Sequence, residues 1–116
     1  MSALSRPSQI QVGSLSFEIN WSKDAINRLI VEANKPDAWG YVDYNTLLIH
    51  IDGEQPVQRQ RNTLMHEVLH CIWHETGLDD VEEATEEYLI GSLTGRLVGV
   101  LRDNPELVAY LTHEKI

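Results

Sequence analysis

The segment from Leu64 to Trp73, LMHEVLHCIW, is the feature that most constrains what this chain can fold into. Its only polar side chains belong to His66, Glu67 and His70, and every other residue in it is apolar. Residues 57–76 contain no glycine or proline, which predicts one continuous helix. A helix with so few polar residues is expected to be buried over much of its circumference, so the polar triplet needs a compensating partner.

A metal ion is the partner that this spacing suggests. On an α-helix, His66 and His70 lie one turn apart and about 40° around the axis, so both imidazoles can reach one point. Glu67 lies to one side of that point. The pattern H-E-x-x-H is typical of sites where two neutral histidines bind zinc and the glutamate takes a proton from the metal-bound water. A packing role would leave a buried carboxylate uncompensated. The sequence therefore predicts Zn²⁺ at His66 and His70, with Glu67 as the general base.

A catalytic zinc site needs a third protein ligand. His74 follows one turn later, but three histidines at steps of four on a straight helix do not converge on a tetrahedral ion, so His74 is predicted at the rim or behind the ligands. The acidic start of the next helix offers Glu87 and Glu86. Glu87 shares a helix stripe with Gly91 and Gly95, and small residues would let two helices approach closely. Glu87 is the predicted ligand, Glu86 is the alternative, and the other glutamate is expected to be exposed.

The remaining pattern predicts a single α+β domain over residues 1–116, with a small, mostly antiparallel sheet packed on three to four helices around the central H-E-x-x-H helix. Alternating apolar residues predict a β-hairpin over residues 10–21, and strands are expected at 41–42 and 47–51. Further helices are predicted from a cap at Ser22 to about residue 34, from 81 to 102 with a cap at Asp80, and from 105 to 110.

Composition and charge argue against several classes of function. The formal charge of −9 disfavours nucleic acid or an anionic membrane as a partner. No apolar run approaches the length of a membrane span, and residues 1–10 lack the pattern of a secretory signal. The single cysteine, Cys71, fits a reducing compartment. The sequence predicts a cytoplasmic protein without nucleic-acid or membrane partners, and it does not indicate an oligomeric state.

With its flanks, the motif resembles the gluzincin zinc metallopeptidases in a reduced form, especially the minigluzincins and the small H-E-x-x-H proteins often encoded by phages and prophages. The resemblance covers about residues 39–111, including WGYVDYNTLLIHID, the helix segment TLMHEVLH and the acidic helix that follows. It implies a minimal zincin-like domain with zinc held by His66, His70 and Glu87 (or Glu86), and Glu67 as the general base. The implied activity is hydrolysis of an extended peptide or protein substrate, in the host cytoplasm if the chain is phage-encoded.

Two further expectations follow from the resemblance. An edge strand should line the cleft and pair with the substrate, and residues 47–51 are the candidate. A side chain should stabilise the oxyanion, and four candidates stay open: Tyr44, Tyr88, Tyr110 and His113. One alternative is a catalytically silent zinc-binding domain with a structural or phage-accessory role. Another is a latent peptidase whose residues 112–116 cover the cleft.

Overall fold

The computed structural model of this protein describes residues 6–32, 38–78 and 81–113. These ranges contain four strands and four helices, and the last three helices follow the last strand. In chain order they are β1 (Gln9–Val12), β2 (Leu15–Asn20), α1 (Lys23–Glu32), β3 (Gly40–Asp43), β4 (Leu48–Ile51), α2 (Val57–Glu75), α3 (Glu83–Asp103) and α4 (Pro105–Leu111).

The strands form one mixed sheet in the order β1-β2-β4-β3. β1 pairs with β2 and β3 with β4 in antiparallel fashion, whereas β2 and β4 run parallel. The α+β prediction is confirmed, with two of the three pairings antiparallel. The prediction that residues 47–51 form an edge strand is wrong: α1 lies in the crossover that brings β4 beside β2, so β4 is central and β3 takes the edge.

Local sequence signals set several of the element ends. The Ser22 hydroxyl accepts a 3.3 Å hydrogen bond from the backbone N–H of Asp24 and so caps α1 as predicted. Gly77 follows the end of α2 with a φ of +78°, a left-handed conformation that glycine adopts without strain. α3 begins at Glu83, two residues later than predicted. The cap expected for it, Asp80, lies outside the described residues.

One face of the sheet packs against α2 to form the core. The fully or nearly buried cluster consists of Val12, Phe17, Ile19, Ile49, Ile51 and Cys71. Cys71 of α2 is fully buried in this cluster, where it packs as a small apolar residue. Strand alternation places His50 on the opposite face of β4, which α1 covers with its buried residues Ala25 and Ile26. The position of α2 is therefore determined by its packing against the sheet, and α3 packs in turn against α2.

Among the helices in the described ranges, none combines the length and the apolar character that crossing a membrane requires.

Candidate metal centre

The polar triplet lies on the second half of α2, which runs unbroken from Val57 to Glu75. The side chains of His66 and His70 are 27% and 14% exposed. Glu67 is more deeply buried, at 6% exposure. The three polar residues therefore lie at the border between the core and a cleft, and not on an exposed helix face.

The predicted third ligand meets the two histidines. Oε1 of Glu87 lies 2.6 Å from Nε2 of His70 and 3.6 Å from Nε2 of His66. The two Nε2 atoms are 3.2 Å apart. Zinc ligands held tetrahedrally at about 2.0–2.1 Å from the ion lie about 3.3 Å from one another. The triangle needs only a small opening on its Glu87–His70 side to match that geometry, so these residues could hold a zinc ion.

Glu86 lies beside the same histidine but on its other nitrogen. Its Oε2 accepts a 2.5 Å hydrogen bond from Nδ1 of His70, and its side chain is only 19% exposed. The expectation that the glutamate not chosen as ligand would be exposed is wrong. Consecutive helix residues point about 100° apart, and the two nitrogens of one imidazole let both carboxylates reach His70.

The contact between Nδ1 of His70 and Glu86 fits a neutral imidazole that carries its proton on Nδ1. With the proton on Nδ1, Nε2 presents a lone pair toward the Glu87 carboxylate and toward His66. Acceptor atoms at these separations repel each other unless a cation or a shared proton lies between them. A carboxylate behind a ligating histidine is also the usual arrangement that fixes its tautomer and raises its basicity. The donor set therefore suits a divalent metal.

Two groups at the centre have shifted pKa values. Burial raises the pKa of the Glu67 carboxyl to about 7; His70 opposes this shift and the Glu87 carboxylate adds to it. Burial lowers the pKa of His66, against the pull of Glu87, which favours the neutral imidazole that metal binding requires. A carboxyl with a pKa near 7 is suited to exchanging protons at neutral pH.

A cleft of about 990 Å³ opens above the triplet. The wall formed by β3 and the residues on either side of it includes Trp39, Tyr41 and Val42, and the floor contains His66, Glu67 and His70. The opposite wall is α3, with these lining residues: Glu83, Glu86, Glu87, Gly91, Thr94 and Gly95.

Gly91 and Gly95 of α3 do not lie at the close helix crossing that the sequence predicts for them. A Cβ built on Gly91 or on Gly95 would meet no neighbouring atom within 4 Å, so neither residue lies at a close helix crossing. The buried residues of α3 are instead Ile90 and Thr94. The glycines line the open cleft.

Tyr44 and His74 support the centre from behind. The Tyr44 hydroxyl donates to the backbone carbonyl of His70 at 3.1 Å, and its ring stacks on His74 with centroids 4.1 Å apart. His74 is not part of the group formed by His66, His70 and Glu87, in agreement with its prediction as a non-ligand. The sequence does not predict the hydrogen bond between Tyr44 and His70. Tyr44 lies in the β3–β4 turn, far from His70 in sequence, and helix spacing reveals only neighbours on the same helix.

The other oxyanion candidates lie away from the cleft. Tyr88 and Tyr110 are 73% and 75% exposed, and neither lines the cavity. His113 is exposed as well, and residues 114–116, which belong to the segment predicted to cover the cleft, lie outside the described residues.

Comparison of the chain with family models, curated proteins and solved structures finds no match. The gluzincin resemblance of residues 39–111 therefore stays a prediction, and the geometry of the centre carries the functional argument.

Proposed function

We propose that this protein is a zinc-dependent metallopeptidase with a minimal zincin-like fold. The observation that carries the proposal is the convergence of His66, His70 and Glu87 at one point of an open cleft. Three protein ligands beside open space are the arrangement of catalytic zinc sites, because structural sites use four ligands and are closed.

Different residues of the centre have different proposed roles. His66, His70 and Glu87 would hold the ion, and Glu86 orients His70 through Nδ1. A bound zinc ion would polarise a peptide carbonyl and make a water molecule more acidic. Glu67 lines the same cleft beside the two histidines, so its carboxylate could accept a proton from water and return it to the leaving amine.

The substrate that fits the cleft is an extended peptide. β3 is one of the two edge strands of the sheet, and its residues Gly40, Tyr41 and Val42 line the cavity. The backbone groups on the outer side of an edge strand can pair with an added strand, which would lay a peptide across the cleft above Glu67. The pairing with substrate that the sequence predicts for residues 47–51 is therefore proposed for β3, Gly40–Asp43.

Glu67→Gln tests the proposed chemistry. The substitution removes the proton acceptor and retains the shape of the side chain, so cleavage of a peptide library by the zinc-loaded protein should fall at least about 100-fold. Glu83→Gln is the matched control, because Glu83 is an exposed acid that lines the same cleft and should leave cleavage unchanged. Equal cleavage by wild type and Glu67→Gln would overturn the proposed role of Glu67.

A catalytically silent zinc-binding domain is the second candidate. The observation that favours it concerns Tyr44, the oxyanion candidate that lines the cleft, because its hydroxyl already donates to the His70 carbonyl. Stoichiometric zinc binding without cleavage of any member of a complete tetrapeptide library would support this alternative over the peptidase.

A further inference from the structure

The last helix, α4, packs mainly against α3 and contains no buried residue. A helix of seven residues is too short to be stable in water by itself. Its large apolar side chains share one face, within about 100° around the helix axis. They belong to Leu107, Tyr110 and Leu111, which are 40%, 75% and 65% exposed. Among the residues that the structure describes, this face of α4 therefore lacks the packing that would stabilise so short a helix.

α3 carries apolar side chains on the side that faces away from the cleft. Leu89, Leu93 and Val100 fall within about 40° of one another around the helix axis, and their stripe lies about 160° from Gly91 and Gly95, which line the cleft. The three are 39%, 56% and 46% exposed. A single exposed leucine is ordinary, but three apolar residues along three turns of one stripe form a continuous surface.

α2 extends this apolar surface. The sheet covers one side of α2 and α3 covers a second side. Met65, Leu69 and Ile72 lie at least about 100° around the axis from Cys71, which packs against the sheet, and Ile72 is 43% exposed. The sheet and the cleft lie on one side of the α2–α3 pair, so these residues and the stripe on α3 lie together on the other side. The exposed members form what is here named the outer surface: Ile72, Leu89, Leu93 and Val100.

We propose that this chain forms a symmetric dimer in which α4 of each copy packs on the outer surface of the other copy. The apolar face of α4 and the outer surface match in size, because each exposes roughly 300 Å². Reciprocal packing would remove roughly 1,300 Å² from water, which lies within the range of about 1,200–2,000 Å² for stable interfaces. Either surface paired with itself would bury only about half of that area, on the scale of a crystal contact. The area therefore favours exchange of α4 between two copies.

The connection between the last two helices excludes the same contact within one chain. Only Asn104 lies between α3 and α4. Two helices that fold back on each other need a connection of about 2–5 residues, so α4 cannot lie along the outer surface of its own chain without unwinding the end of α3. The proposed dimer leaves the cleft open, since the outer surface lies on the opposite side of the helix pair. It does not depend on the metallopeptidase function.

Lysine substitutions test the two halves of the contact separately. Leu93→Lys changes the outer surface and Leu111→Lys changes α4, and both residues are exposed, so each variant should fold. Tyr88→Lys is the matched control, because Tyr88 is 73% exposed on the same helix as Leu93 but lies about 120° from the apolar stripe. Lysine lowers the net negative charge of the chain, so dissociation of a variant cannot come from general repulsion.

Sedimentation equilibrium of the full chain measures the association. We expect the wild type to be a dimer at about 50 µM, because interfaces of this size give micromolar or tighter dissociation constants. Leu93→Lys and Leu111→Lys should each weaken the dimer at least about 10-fold, and Tyr88→Lys should change it less than about 3-fold. Circular dichroism should show the wild-type helix content in all three variants.

Mixing the two weakened variants tests the exchange itself. A pair of Leu93→Lys and Leu111→Lys chains keeps one contact intact and places both substitutions in the other contact, whereas each variant alone has a substitution in both contacts. A contact that is already lost cannot be lost twice, so the mixed dimer should be more stable than either parent dimer. Pairing of like surfaces would give the mixture no such advantage.

Four results would overturn the proposal. The first is a wild type that stays monomeric at about 200 µM, whether its α4 amides are protected from hydrogen exchange by packing within one chain or exchange freely and leave the surface to another protein. The second is a dimer that neither Leu93→Lys nor Leu111→Lys weakens. The third is a dimer that Tyr88→Lys weakens to the same extent. The fourth is a mixture of the two variants without preference for the mixed dimer, which would mean that like surfaces pair.

Discussion

Replacement of Glu86 and of Glu87 should have effects of different size on zinc affinity. Glu86→Gln retains an oxygen that can accept the hydrogen bond from Nδ1 of His70 but removes the negative charge behind the imidazole. Loss of such a partner typically weakens metal binding 10- to 100-fold, or about 1.4–2.7 kcal/mol. The Glu86 side chain is only 19% exposed, so solvent should not screen the effect away. Glu87→Gln removes an oxygen of the proposed ligand set and should weaken zinc binding by a larger factor.

The assay is competition for zinc against a chromophoric chelator at pH 7.5 and fixed ionic strength. The untagged wild type is the reference. Glu83→Gln on the same helix is the control, since its side chain is exposed and should alter the affinity by less than a factor of about 3. A larger loss in Glu86→Gln than in Glu87→Gln would refute the assignment of Glu87 as the ligand and reverse the roles of the two glutamates.

Three other perturbations follow from burial. His50 is 8% exposed, and burial lowers its pKa from the ordinary value of 6.5. Below pH 6.5 the unfolded chain binds a proton at His50 more readily than the folded chain, so the free energy of unfolding decreases as the pH is lowered. His50→Asn should make this decrease smaller in urea unfolding between pH 6.5 and 5. An unchanged pH dependence would contradict the reasoning. Ile49 is fully buried, so Ile49→Ala should cost about 2–5 kcal/mol of unfolding free energy, and a cost below about 1 kcal/mol would place it outside the core. Cys71 is fully buried and burial raises its pKa to about 12, so it should react with a thiol reagent at pH 8 only after unfolding; rapid native labelling would show an open core.

Charged neighbours also act on the pKa of His50. Asp43 acts to raise its pKa and Arg28 acts to lower it, while burial is the dominant influence. Glu67 titrates in the opposite sense, because its pKa is raised to about 7 and the folded chain holds its proton more strongly than the unfolded chain. Subtracting the His50→Asn curve from the wild-type curve cancels the Glu67 contribution.

Local signals in the sequence made the helices and the proximity of His66 and His70 predictable. The sequence predicts α2 over residues 57–76, and the helix runs from Val57 to Glu75. The agreement is close because an uninterrupted segment without glycine or proline, followed by Gly77, specifies both the length and the end of the helix. The spacing of His66 and His70 is a property of one helix, so their proximity required no knowledge of the fold.

The features that local sequence patterns do not predict depend on packing between segments far apart in the chain. The central position of β4 depends on its parallel pairing with β2, which joins segments about 30 residues apart. The separate roles of Glu86 and Glu87 depend on how α3 docks on α2, and both residues face His70. The same docking leaves the glycine stripe facing the cleft, whereas spacing alone also fitted a close helix crossing.

Zinc content of the untagged protein tests the central claim most directly. Elemental analysis after equilibration with zinc and removal of the excess should give about one zinc per chain for the wild type, and it should give none for Glu87→Ala. Glu67→Gln should retain the metal, since Glu67 is not among the three proposed ligands. A wild-type protein without zinc, or a Glu87→Ala variant that keeps a full equivalent at unchanged affinity, would contradict the assignment of His66, His70 and Glu87 as a metal centre.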